Sequence, residues 1–314
     1  MLTHTDMVHD YRLKTDSGRM NIARHRMKKP ICQILAAVLL VPLLYLLWLL
    51  AHVFFFDVFI IPTDSMQPTL QPGDRVLVNK LVLGPRLYHS IFLKNEVQQL
   101  HSTRLKGLRH VRRGDVVVFN NPQHNGHISF LINHVYAKRC VALPGDSLSV
   151  INGYFVNNNW QHPLGIRAEQ QRLRVTADSL FSAETYNVAP YDEHVGWTIK
   201  NLGPFYVPRK GDVVRITPLT ASYLRLPIEW ELGEKLNINW EHGEVYTAHG
   251  QTLSTHTFRH DYYYMCGDNV CDSNDSRYWG VVPEEYIIGI ASYVLYGRDK
   301  QTGNLRHHRI LKSL

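Results

Sequence analysis

SFLINHVYAKRCVALPGD, Ser129–Asp146, decides how the rest of the chain is read. It is dense in β-branched, aliphatic and aromatic residues and stops on Pro-Gly-Asp. There the Gly supplies a backbone conformation that other residues resist, and the Asp can bond the local backbone. Such a run is a strand ended by a turn. Its even-numbered face carries Phe130, Ile132, His134, Tyr136, Lys138, Cys140 and Ala142; the opposite face carries Leu131, Val135, Ala137, Arg139 and Val141. Both faces are largely apolar, so alternation alone does not say which one is inside. The pattern does set a Lys among apolar neighbours, where snorkelling at an edge is the ordinary outcome.

The same punctuation recurs along the chain. Pro72–Asp74 is PGD, Arg113–Asp115 is RGD and Lys210–Asp212 is KGD, and the runs DRVLVNKLVL, DVVVF and DVVRI begin at their Asp residues. With IIGIASYVLY (Ile287–Tyr296), these segments make the chain mainly β. A lone RGD tripeptide has too high a chance rate to signal integrin binding, so turn chemistry is the reading for all four. Helical periodicity is poor beyond the N-terminal segment, apart from short stretches near SYLRLPIEWE (Ser222–Glu231). Residues 81–111, mixed and basic, and residues from about 151 to 262 look like insertions, the second long enough for another β lobe.

Composition limits the function classes. The chain has 314 residues, 45% hydrophobic and 19% charged, which excludes a disordered protein. Its net charge of +7 would suit nucleic acid only if the basic residues clustered on a folded surface. Part of the excess instead lies in the first thirty residues, where Arg12, Lys14, Arg19, Arg24, Arg26, Lys28 and Lys29 outnumber Asp6, Asp10 and Asp16. No nucleic-acid partner is expected.

That basic stretch precedes ICQILAAVLLVPLLYLLWLLAHVFFF, Ile31–Phe56, which contains no Asp, Glu, Lys or Arg. At about 1.5 Å per residue, a helix of this length more than spans the ~30 Å hydrocarbon core. A cleaved signal peptide would have an apolar core of about 7–15 residues ending in small residues. This run ends in Phe54, Phe55 and Phe56, so it reads as a retained anchor. The positive-inside rule then puts residues 1–30 in the cytoplasm and the chain after Asp57 outside. Outside, a disulfide between Cys266 and Cys271 is permitted but not required. Metal binding is not expected: the Cys-x4-Cys spacing lacks a second close Cys/His pair, and the 18 His residues are scattered.

IIPTDSMQPTL, Ile60–Leu70, follows the anchor. A lone Ser-Met pair between Pro62 and Pro68 is ordinarily a turn or a cap. As a nucleophile, the Ser hydroxyl needs a base, either His or a Lys made neutral by burial. Asp275 and Arg277 alone read as a surface ion pair, and Asp64 has no evident role.

Four stretches together change this reading. SMQPTLQPGDRVLVNK (Ser65–Lys80), RRGDVVVF (Arg112–Phe119), YAKRCVALPGD (Tyr136–Asp146) and GDNVCDSNDSRYWGVVPEEYIIGIA (Gly267–Ala291) resemble, in order, the boxes of type I signal peptidases. The resemblance implies a signal-peptidase-like antiparallel β-sheet or barrel core with an inserted second β lobe, preceded by one transmembrane helix. The expected divisions are a cytoplasmic tail (1–30), an anchor (31–57), a first core part (58–150), an inserted lobe (151–262) and a last core part (263–314). It also implies a serine endopeptidase that removes signal peptides from exported preproteins after small residues, without a cofactor or metal. Ser65 resembles the nucleophile and Lys138 the general base. Thr63 resembles an oxyanion donor acting with the Ser65 amide, and Ser273 a residue that orients the Lys. Asp275 and Arg277 resemble a bracing pair, while Pro62, Met66 and Tyr136 would lie against substrate. The implied setting is the bacterial plasma membrane, in contact with the lipid bilayer and near the export translocon. The sequence departs from the family at Val270, Cys271 and Asp272, where Arg, Asp and Asn are common. Two alternatives stand beside this. One is a catalytically specialised or inactive membrane-anchored β-domain that binds exported proteins. The other is a Ser-Lys self-cleaving regulator, which the anchor disfavours.

Overall fold

The computed structural model describes residues 37–89, 96–97 and 102–314; the basic tail, Cys32 and the start of the apolar run lie outside them. The chain divides between Val53 and Phe54 into two units. The described part of the first belongs to helix α1, Ala37–Phe54, which ends on the first residue of the second unit and whose mean hydropathy of 2.4 and length suffice to cross a membrane. Its apolar side chains from Val38 to Leu50 are exposed, as suits a helix solvated by lipid.

The second unit is built on a nine-stranded antiparallel sheet. Its principal strands are β1 (Phe56–Ile60), β2 (Asp74–Asn79), β3 (Val116–Asn120), β4 (Val135–Ala142), β5 (Tyr262–Cys266), β6 (Val282–Pro283) and β7 (Ile287–Arg298). They lie in the order β1-β2-β7-β3-β4-β5-β6, and Leu305–Arg306 and Lys312–Ser313 pair with β7 as well. Strand β3 is buried on both faces. Val116 and Val118 join a cluster with Met66, Leu70, Val76 and Val78. Val117 and Phe119 join Phe130, Cys140, Met265 and Trp279 on the other side. A strand between two cores has no polar face to show, which is why DVVVF does not alternate.

The four Gly-Asp turns share one geometry. Gly73, Gly114, Gly145 and Gly211 have φ of 90°, 92°, 87° and 88°, a region costly for any residue with a Cβ. In each turn the Asp carboxylate accepts from the backbone N–H three residues earlier: Gln71 at 2.8 Å, Arg112 at 2.8 Å, Leu143 at 2.8 Å and Arg209 at 3.1 Å. Asp74, Asp115 and Asp146 also take up Arg309, Arg109 and Arg113.

The segment after β4 contains a three-stranded sheet of Ser147–Ile151, Tyr154–Asn157 and Leu202–Tyr206. It also holds helices α2 (Arg167–Val175), α3 (Pro218–Tyr223) and α4 (Arg225–Leu232). Its apolar core runs on into Val141, Ala142, Tyr262, Tyr264 and Cys266 of the main sheet. Helix α3 starts on a Thr217–Thr220 capping box, and Gly233 in the left-handed region ends α4. Helix α2 was not foreseen. It buries only Gln170 and Leu173, and Gln170 is held by hydrogen bonds from the Phe155 amide at 3.0 Å and to the Leu164 carbonyl at 2.5 Å. A helix docked through a carboxamide shows no apolar stripe.

Candidate active site

Ile61–Asp74 leaves β1 and returns to β2 as a closed loop. The Ile61 amide donates to the Asp74 carbonyl at 2.9 Å, and the Gly73 amide to the Ile61 carbonyl at 2.9 Å. Met66 and Leu70 sink from this loop into the core under β2 and β3. That anchorage leaves Ser65 half-buried at the rim.

Strand β4 delivers the Lys. Register pairs Tyr136 with Phe119 and Lys138 with Val117, so Lys138 shares its face with Tyr136 and Cys140. Lys138 is 4% exposed, and its Nζ lies 2.6 Å from Ser65 Oγ and 3.1 Å from Ser273 Oγ. Thr63 Oγ1 is 3.3 Å from Ser65 Oγ. Burial pushes the Lys138 ammonium below its ordinary range, because the charged form loses hydration. Asp275 works against that shift, and Arg277 reinforces it.

A cleft of about 300 Å³ opens over these atoms. Pro62, Thr63, Ser65, Met66, Tyr136 and Lys138 line it, and Asp64, Asp272 and Asn274 do so as well. Met66 is at once a wall residue and a core residue, only 1% exposed. Tyr136 is half-buried, its ring 5.9 Å from Lys138 Nζ and edge-on to Phe119.

Ser273, Asp275 and Arg277 lie behind the cleft wall. Asp275 is 0% and Arg277 1% exposed, so this is not a surface pair. Arg277 Nε and Nη2 each donate to the Asp275 carboxylate at 2.8 Å, and Nη1 donates to the Val270 carbonyl at 2.8 Å. Asp275 also accepts from the Gly267 amide at 2.9 Å and caps the short helix Ser276–Trp279. Burial alone would raise its carboxyl pKa, but Arg277 holds it below the usual carboxylate range.

Residues that were not singled out complete the frame. Arg139, on the other face of β4 from Lys138, makes two 2.6 Å hydrogen bonds to Asp268 and a third, also 2.6 Å, to the Gly114 carbonyl. Asp268 accepts from the Thr69 hydroxyl as well. The Asn269 amide donates to the Ser65 carbonyl at 3.1 Å. From the far end of the chain, Lys300 donates to the Pro62 carbonyl at 2.5 Å, Arg306 to the Pro72 carbonyl at 3.1 Å and Arg309 to the Thr69 carbonyl at 2.8 Å. The Gly-Asp-Asn triplet at 267–269 was the available signal for part of this; the cations at 300, 306 and 309 had none. Cys266 and Cys271 are both free thiols.

A buried amine in hydrogen-bond contact with a hydroxyl, at the floor of an open cleft, can activate that hydroxyl as a nucleophile. The family model described as "Signal peptidase, peptidase S26" matches residues 32–296. The chain belongs to that family. As a signal peptidase it is a serine endopeptidase that removes signal peptides. It is similar to the Signal peptidase I of Buchnera aphidicola subsp. Baizongia pistaciae, 27% identical over 277 residues, covering 83% of this chain and 76% of that protein. It is also similar to the Signal peptidase I of Pseudomonas fluorescens, 27% identical over 262 residues, covering 80% and 68%. A solved signal peptidase I from Enterococcus faecalis is 17% identical and covers 58% of this chain and 97% of its own, at a TM-score of 0.28 that is too low to bear on the fold.

Proposed function

We propose that this signal peptidase works through a Ser65–Lys138 dyad. Neutral Lys138 accepts the Ser65 proton as Oγ attacks the peptide carbonyl. Thr63 Oγ1 and the Ser65 amide stabilise the oxyanion, and Lys138 then protonates the leaving amine. A water activated by the same Lys releases the acyl group. Ser273 orients Lys138, the Asp275–Arg277 pair braces that wall, and Pro62, Met66 and Tyr136 contact substrate. The single observation that carries this reading is the 2.6 Å contact of a buried Lys138 with Ser65.

The substrates in this reading are exported preproteins, cut after small residues while extended beside a strand. The enzyme is anchored by α1 in the bilayer of the bacterial plasma membrane. Residues 1–30 are cytoplasmic, the catalytic unit lies outside, and the export translocon is nearby. Support comes from the basic residues before the apolar run and from the few positions that separate Asp57 from Ser65. The divisions at 58–150, 151–262 and 263–314 follow the same reading.

The test is a preprotein-processing assay on the wild type, Ser65→Ala and Lys138→Ala. Both variants should lose processing by about a thousandfold or more. Wild-type rates in either would remove the dyad.

A further inference from the structure

The proposed mechanism leaves residues 151–262 without a task, yet one of their side chains reaches the nucleophile loop's support. Arg172 on α2 donates from Nη2 to Asn269 Oδ1, and a 2.7 Å salt bridge to Glu169 steadies its guanidinium on the same helix. Asn269 faces the Ser65 loop twice. Its backbone N–H donates to the Ser65 carbonyl at 3.1 Å, and its Nδ2 faces the Asp64 carbonyl at 3.5 Å. The Asp64 carbonyl also accepts from the Gln67 amide at 2.8 Å.

A carboxamide has one accepting end and one donating end, whereas a guanidinium only donates. With Arg172 on Oδ1, Asn269 presents its NH₂ group to Asp64; without it, the carboxamide is free to turn over. The Asp64 carbonyl and the Ser65 N–H belong to one planar trans peptide unit and point in opposite directions. Holding the carbonyl toward Asn269 therefore aims the N–H the other way. That N–H is the backbone oxyanion donor of the proposed mechanism.

We propose that Arg172 is a positioning residue for the peptidase reaction, acting through Asn269 to fix the peptide unit between Asp64 and Ser65. The inserted region thereby takes part in oxyanion stabilisation. This rests on the reading of Ser65 as nucleophile and Thr63 with the Ser65 amide as donors.

The test measures kcat and KM separately on a preprotein substrate, with the full chain in detergent micelles. The variants are Arg172→Ala, Arg172→Lys, Asn269→Ala and the Arg172→Ala/Asn269→Ala double, with Ser65→Ala alongside. An oxyanion donor acts only in the transition state, so Arg172→Ala should lower kcat by about five- to twentyfold with KM changed less than about twofold. Arg172→Lys keeps a donor at that place and should recover most of the loss. The acid limb of the pH profile should stay where it is, because the dyad is untouched. In the Asn269→Ala background, Arg172→Ala should cost less than about twofold, since the two side chains act in series. The inference is overturned by a near-wild-type kcat in Arg172→Ala, by a KM effect as large as the kcat effect, by a Lys variant no better than Ala, by a displaced acid limb, or by additive losses. Wild-type processing by Ser65→Ala would instead overturn the nucleophile reading on which this depends. A dead Ser65→Ala beside an unimpaired Arg172→Ala removes this inference alone.

Discussion

Gly267 and Ser273 stand so close that a methyl group on the first would lie 2.0 Å from the hydroxyl of the second. The same methyl would lie 2.5 Å from the Ser65 carbonyl oxygen. Gly267 is thus where the Ser273 hydroxyl and the Ser65 backbone converge. Gly267→Ala must displace one of them, and misplacement of about 1 Å is worth roughly a hundredfold in rate. We expect kcat/KM to fall by about that factor, with a much smaller change in melting temperature. Paired activity and thermal-melting measurements check this, and unimpaired processing would contradict it.

In the proposed dyad, the depressed pKa of Lys138 sets the expected pH dependence. The amine is protonated, and useless as a base, below its folded-state value, so kcat/KM should rise as pH climbs through that value and level off above it. Because burial is the main cause of the shift, the acid limb should lie below the ordinary Lys range. A rate profile that stays flat from acid to alkaline pH would exclude Lys138 as the base.

Thr63 offers its hydroxyl 3.3 Å from Ser65 Oγ. Thr63→Val removes this hydroxyl at nearly constant volume and, in the proposed role of oxyanion donor, should lower kcat by about a hundred- to a thousandfold. Thr63→Ser keeps the donor and should stay within about threefold of wild type. Equal losses in the two variants would mean that the methyl group matters and the hydroxyl does not.

Asp275→Ala leaves Arg277 buried without its counter-charge and the Gly267 amide without its acceptor. Removing one partner of a buried ion pair costs about 3–5 kcal/mol. Chemical denaturation should record a loss of that order, and a loss under about 1 kcal/mol would mean that water reaches the vacated space.

What the sequence made legible was local. The Gly-Asp turns could be read because turn chemistry is confined to four residues, and Lys138 could be read as anomalous because its strand neighbours are apolar. The meeting of Lys138 with Ser65 and Ser273 spans 73 and 135 residues of chain and leaves no local trace. Only the ordered resemblance of four boxes carried it. Helix α2 stayed hidden because Gln170, a polar residue, does its docking. Asp275 and Arg277 read as surface charges because composition reports what a residue is, not whether its partner and the backbone satisfy it in the interior.

The grip of Lys300, Arg306 and Arg309 on the carbonyls of Pro62, Pro72 and Thr69 also dictates an order of events during biosynthesis. A ribosome adds Ser65 long before it reaches Arg309, so the growing chain carries its hydroxyl on an unclamped loop for most of its synthesis. Strand β7 and the residues after it must emerge and fold before that loop is held from both sides.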